Sequence, residues 1–420
     1  MRQAIENKEV IAVPLLKNTR THSRHAAIVG WYIATKDLTQ EFTLLKDHPE
    51  ALYKADALID LTTCSKVYVT SYNALIYNNI TDSVFVDANL LTYLNRGVMQ
   101  DGESTDLHYF YKRRLNINDT APLVDLIKLQ EYARVQAHSL VLDNCDCFDF
   151  YQTQAIPFFH KIELNGLAIN DSLFRDVFGS NGLVQNNYAY TKYNLYTSTG
   201  RPSNRFAGVN FAALSKEDNT RECFVSRYED GVLLELDFQS YHPRLLSDLI
   251  RYNIEPTENI YHHLAKFYFN TDTPTTDQIS KAKEATFWQL YGGIRKEFKH
   301  IEYFQRIQIL TDKLWEIYNQ QGYVQSLISK RKITNIEEAT PAKLLNYFIQ
   351  LHETEQNIQT LSAVFNKLPE DILPVLYTYD SIVFDLPKQQ VDKLKQLLSE
   401  IIPAKYPFKI KFGDNYKHMT

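Results

Sequence analysis

The sequence predicts a mixed α/β protein of two domains, and three observations carry that expectation. Its 420 residues exceed what one compact core ordinarily holds. The first 150 residues alternate short strand-like runs with helical stretches, the pattern of an α/β domain. From about residue 156 onward, long amphipathic helical stretches surround two apolar strand segments, each carrying an aspartate where an acid is out of place.

In the first domain the strand-like runs are VIAVPLL, AAIVGWYIAT, KVYVTSY and SVFVDANLL, and the helical stretch is APLVDLIKLQEYARVQAHSLVLD. In the second, IPFFHKIELN reads as an amphipathic helix ended by Gly166. GVLLELDFQS (231 to 240) reads as a strand, DQISKAKEATFWQLYGG as a helix stopped by its two glycines, and AKLLNYFIQLHETEQNIQTLSAVF as a long helix. PVLYTYDSIVFDLP reads as a β-hairpin with Asp380 in its tight turn.

Composition narrows the classes. With 44% hydrophobic and 23% charged residues a folded globular chain is expected, not a disordered one. A net charge of −5 excludes coating nucleic acid through bulk charge, so any such site must be locally basic. The four cysteines, 64, 145, 147 and 223, lack zinc-ligand spacing and read as reduced thiols. No apolar stretch is long enough for a membrane span and the N-terminus is not signal-like, so a cytoplasmic protein is expected, in a prokaryote or a virus-infected host cell. The 28 tyrosines and 23 phenylalanines serve core packing first and base stacking second.

Asp237 ends an otherwise apolar strand, and Asp380 sits between Tyr379 and Ser381 at an apolar hairpin tip. Ionised carboxylates there need partners, and two of them brought together repel unless a divalent cation lies between. Either acid alone reads equally as a strand-end or turn aspartate satisfied by backbone donors. The helix between them adds Lys283, Phe287 and Tyr291 at i, i+4 and i+8, one row presenting a cation, a flat aromatic and a phenol. Such a row suits a nucleoside triphosphate, and alone it reads equally as a core-facing aromatic stripe with a solvated lysine.

These segments occur in an order that resembles the family A DNA polymerases. TSTGRPSN (197 to 204) and VNFAAL (209 to 214) resemble the family's TxTGRxS block and the segment after it. LELDFQSYHPRLL is similar to motif A, KAKEATFWQLYGG to motif B and YTYDSIVF to motif C, while NYFIQ (346 to 350) resembles the NxxxQ helix and KFGDNYKH the closing block. The resemblance covers residues 156 to 420 and implies a right-hand palm and fingers with a reduced thumb. It divides that region into thumb (156–196), palm (197–255 and 346–420) and fingers (256–345).

It further implies a template-directed DNA polymerase that adds deoxynucleotides (dNTPs) to a primer 3′-hydroxyl and releases pyrophosphate. Asp237, Asp380 and the main-chain carbonyl of Phe238 would hold two Mg²⁺ ions, and Lys283 would meet the triphosphate. Phe287, Tyr291, Tyr241 and His242 would surround the nucleotide, Arg201, Asn210, Asn346 and Gln350 would contact the primer-template DNA, and Arg244 would be a further substrate-binding residue. Three departures stand out. His242 occupies the position of the Glu that crowds the sugar 2′ carbon, and its imidazole is bulky enough to maintain deoxynucleotide preference. The phosphate-binding Arg of motif B falls on Ile279, with Lys281 the nearest replacement, and the acid after the catalytic Asp of motif C is Ser381.

Residues 1–155 more faintly resemble the 3′-5′ exonuclease domain, RNase H-like in fold, that precedes the polymerase in this family. Its acids would be replaced by Pro14, Leu16, Asn73 and Gln136, with Tyr132 kept, which implies no proofreading. An unrelated α/β domain is the alternative, and Asp87 stands as a lone acid. Only residues 171 to 196 fill the place of the long thumb, so weak duplex grip, or a processivity or replisome partner, is expected. Two other readings compete. A single-subunit RNA polymerase of the phage and organelle type shares the palm and the Asp-Ser pair, but Phe287 and the NxxxQ block disfavour it. An inactive polymerase-like nucleic-acid-binding subunit is disfavoured by the retained Asp237, Asp380 and Lys283.

Overall fold

The computed structural model describes residues 2–17, 27–45, 61–70, 72–80, 82–97, 126–179, 184–204 and 209–419. The start of the helical stretch read from 121 and residues 180–183 of the short thumb segment lie outside them. The chain divides into two compact units, Met1–Gln152 and Thr153–Thr420.

The first unit is built on a five-stranded sheet of β1 (Glu9–Lys17), β2 (Ala27–Thr35), β3 (Glu41–Leu45), β4 (Lys66–Val69) and β5 (Phe85–Asp87), in the order β3-β2-β1-β4-β5. The first three strands pair antiparallel and β4 and β5 join in parallel, the RNase H-like arrangement. Alternate residues of β1 enter two different cores, Val10 and Ala12 on one face, Ile11 and Val13 on the other. That is why the segment reads as a continuous apolar run without alternation. Pro14 is tolerated because pairing with β4 ends at Ala12, so its missing N–H costs that ladder nothing. SVFVDANLL is only partly a strand: Asp87 Oδ1 accepts from the Leu90 amide at 2.9 Å and starts a helix, Ala88–Arg96.

The second unit centres on a four-stranded antiparallel sheet of β6 (Gly231–Phe238), β7 (Leu373–Thr378), β8 (Ser381–Pro387) and β9 (Phe408–Gly413), ordered β7-β8-β6-β9. One face packs on Phe174, Phe211 and Phe224 through Leu233, Val375 and Val383. Helix α1 (Tyr241–Leu249) follows β6 directly. Next come α2 (Ile260–Phe269), α3 (Thr276–Gly292) and α4 (Glu302–Gln321). The start of α3 is fixed by a capping box in which Thr275 and Gln278 satisfy each other's backbone amides, and Gly293 ends it at φ 93°. Helix α5 (Pro341–Phe365) is 25 residues long, and most of its middle turns are buried. The IPFFHKIELN helix spans Ile156–Asn165, with Gly166 at φ 61° where a Cβ would fall 2.8 Å from the Tyr190 ring.

Candidate active site

Strand register places the first acid. Asp237 lies opposite Ser381 of β8 on one side and Lys409 of β9 on the other. Opposed residues of antiparallel strands point to the same face, so the three side chains form one row across the sheet. The second acid comes from the β7–β8 turn beside it, where the Phe238 amide donates to the Asp380 carbonyl at 3.0 Å. Tyr379 before it holds a left-handed φ of 59°. Two contacts fix that unfavourable conformation: the Asn357 amide nitrogen donates to the Tyr379 carbonyl at 3.0 Å, and the Arg201 guanidinium covers the ring at 3.9 Å.

Asp237 and Asp380 open onto one pocket of about 620 Å³, within the size range of small-molecule sites. Burial raises the Asp237 carboxyl above its ordinary range despite the opposing charges of Lys216, Lys409, Lys411 and Lys283. Asp380 is pushed up to about 6, by burial first and then by the charges of Glu353 and Asp237. Carboxylates held so close in a partly dry site are short of positive charge, which is the condition a divalent cation relieves. Among the described residues no cluster of three or more His, Cys, Asp or Glu side chains is arranged to hold a metal alone. A cation here would draw on the two aspartates, the Phe238 carbonyl, water and the substrate itself.

Helix α3 forms another wall. Lys283, Phe287 and Tyr291 all line the pocket, with the Phe287 and Tyr291 rings stacked 5.7 Å apart at 15°. His242, at the start of α1, reaches the Tyr291 hydroxyl through Nδ1 at 2.6 Å. Tyr241 lines the same space but is buried, stacked on Phe238 at 4.4 Å, so it supports β6 more than it meets solvent.

Five sequence-predicted residues lie elsewhere. Lys281 is turned to solvent and pairs with Asp277 at 2.8 Å, one helical turn back on α3, so it does not replace the motif B arginine in the pocket. Arg244 is buried, its guanidinium donating to the carbonyls of Glu255, Pro256 and Glu258; it staples a loop and does not line the pocket. Asn346 and Gln350 do not line the pocket and pair with each other at 2.8 Å along α5, and Asn210, just before the short turn Phe211–Ala213, does not line it either.

Arg201 does reach the pocket, delivered by Gly200 at φ 69° against Leu351, where a Cβ would fall 2.3 Å from Leu351 Cδ1. Its guanidinium pairs at 2.9 Å with Glu353, a residue that motif reading passed over. Glu353 is 1% exposed and also faces His242 Nε2 at 3.3 Å. A signal for it existed: Asn346, Gln350, Glu353 and Asn357 recur at spacings of 4, 3 and 4, one polar stripe down a buried helix. Lys409 was missed as well, because only strand register sets it beside Asp237.

No protein-family model matches the chain. DNA polymerase I of Bacillus subtilis (strain 168) is 24% identical over 270 aligned positions, covering 53% of this chain and 30% of that protein. The thermostable DNA polymerase I of Thermus aquaticus is 21% identical over 257, covering 53% and 31%. The chain therefore spans less than a third of the length of either relative. Among solved structures, the POL domain of Pol1 from M. smegmatis, in complex with DNA primer-template and dNTP, matches with a TM-score of 0.69. That match has 12% identity and covers 99% of this chain and 97% of the other, so the two share their overall fold.

Proposed function

We propose that this chain, which belongs with the family A DNA polymerases by fold and by sequence, is a template-directed DNA polymerase that extends a primer 3′-hydroxyl with deoxynucleotides. The observation that carries the proposal is the convergence of Asp237, Asp380 and Lys283 on one pocket walled by stacked aromatic rings.

Asp237, Asp380 and the Phe238 carbonyl are the groups that would hold Mg²⁺. When bound, a pair of such ions activates the 3′-hydroxyl and neutralises charge on the departing pyrophosphate. Lys283 Nζ binds the triphosphate and can give a proton to the leaving oxygen as the new ester bond forms. Phe287 offers its face to base and sugar, and Tyr291 closes the template side. The His242 ring, tied to Tyr291, bounds the space beside the sugar 2′ carbon and disfavours ribonucleotides. Arg201 stands at the primer-template side, held by Glu353 and Tyr379.

The thumb (156–196), palm (197–255 and 346–420) and fingers (256–345) boundaries are part of the same proposal. So is a thumb whose short helix, Asp171–Phe178, gives a weak grip on duplex and leaves room for a processivity partner. A cytoplasmic setting also fits, since none of the four cysteines is in a disulfide.

Extension of a primed DNA template with Mg²⁺ and four dNTPs is the test. The parent should extend the primer, while Asp237→Ala and Asp380→Ala should each abolish extension. Lys283→Ala should slow it by on the order of a hundredfold, about 3 kcal/mol of transition-state stabilisation, with little change in primer-template affinity. Parent activity indifferent to both aspartate changes would refute the reading, and preference for ribonucleotides would favour the RNA polymerase alternative.

A further inference from the structure

A triphosphate brings about four negative charges into a pocket that already holds carboxylates, so its cations decide how well it binds. Of the cationic side chains lining the pocket, Arg201 is committed to Glu353 at 2.9 Å. Among the described residues, Lys283 and Lys409 have no carboxylate within ion-pair distance. Helix α3 contributes only Lys283, because Ile279 lines the pocket one turn earlier and Lys281 is occupied outside with Asp277. The other such lysine comes from β9, an edge strand whose exposed Lys409 lines the pocket and stands directly opposite Asp237 in register. A lysine on an edge strand usually serves to block pairing with another sheet, and its head then points into solvent. Here the residue, though exposed, also lines the nucleotide pocket, on the face that carries Asp237.

We propose that Lys409 is a phosphate-binding residue of the nucleotide site, supplying from the palm edge the second triphosphate cation that Ile279 denies to the fingers helix. This assignment rests on the polymerase reading and deepens it: the triphosphate is gripped from two sides, by Lys283 on α3 and Lys409 on β9. A flexible point charge on the sheet edge tolerates movement of the opposite wall better than a rigid fork would, so grip does not depend on one exact helix position. Lys411, two residues along the same face, lies in register with Glu235 and does not line the pocket, which makes it the natural comparison.

The experiment is steady-state single-nucleotide extension by the full chain on one primed template with Mg²⁺, paired with primer-template binding measured by anisotropy. Lys409→Ala should raise KM for the incoming dNTP by on the order of tenfold, with primer-template Kd within about twofold of the parent. Lys409→Arg and Lys411→Ala should keep KM near the parent value. The double variant Lys409→Ala, Ile279→Arg should recover much of the loss, because it returns a cation to the same phosphates from the other wall. Three outcomes overturn the inference: an unchanged KM in Lys409→Ala, a weaker primer-template Kd with KM unchanged, or a fall in kcat alone. The second would place Lys409 on the primer backbone, and the third would make it a companion of Asp237. An inactive parent would instead fail the polymerase reading itself, so the two failures are distinguishable.

Discussion

His242 Nδ1 lies 2.6 Å from the Tyr291 hydroxyl, while the other ring nitrogen faces the buried carboxylate of Glu353 at 3.3 Å. The imidazole therefore ties α3 to α1 and faces α5 at the edge of the pocket. A ring held by the Tyr291 hydroxyl and packed in a buried position beside Glu353 is a wall of set position, and a wall can discriminate by shape.

His242→Ala should lower the preference for dNTP over rNTP by about tenfold or more, or about 1.4 kcal/mol, by opening space beside the sugar. Tyr291→Phe removes only the bond and keeps the bulk, so its selectivity should fall less. Paired incorporation of one dNTP and its matching rNTP gives both values, and equal selectivity in parent and His242→Ala would remove the ring from this role.

Glu353 pairs with Arg201 and faces His242, and its removal strands Arg201. Breaking a buried pair from one side costs about 3 to 5 kcal/mol, but Arg201 is 22% exposed and Asp380 gains from losing a like charge nearby. A net loss of about 2 kcal/mol is expected for Glu353→Ala, with Glu353→Gln milder because it keeps a hydrogen-bonding shape. Urea unfolding of metal-free protein measures both. A variant more stable than the parent would show that repulsion among the three acids outweighs the pairing.

The first unit should not edit. Gln136 is buried and its amide nitrogen donates to the Tyr132 hydroxyl at 3.0 Å, Leu16 is buried, and Asp87 is spent capping a helix. A mismatched primer incubated with the protein and Mg²⁺ but no nucleotides should remain full length. Stepwise shortening from the 3′ end, lost on Asp87→Asn, would reverse that conclusion.

Burial lowers His352, inside α5, from 6.5 to about 4. Between those values the unfolded chain binds a proton that the folded chain refuses, so stability is present above pH 6.5 and lost as pH falls toward 4. The loss is about 3 kcal/mol at most. Melting curves of parent and His352→Gln from pH 7 to 4 should diverge, with the parent falling more steeply. Parallel curves would mean that His352 accepts its proton within the fold.

Which elements form, and where in them the two pocket aspartates fall, was legible in the sequence. The apolar run before Asp237, the hairpin around Asp380 and the capped helix carrying Lys283 are local patterns, set by side-chain period and by turn and cap chemistry within a few residues. Partners were not legible, because they depend on register and helix rotation between segments far apart in the chain. Lys281 and Arg244 are the right residue type in motif blocks, yet Asp277 and a ring of loop carbonyls claim them. Lys409 and Glu353 stood outside the motif residues, yet strand pairing sets one beside Asp237 and a buried polar stripe on α5 turns the other toward His242. Short-range periodicity thus determined the scaffold and its two aspartates. Only tertiary packing decided which charges face them, since a charge close in space needs no neighbour in sequence.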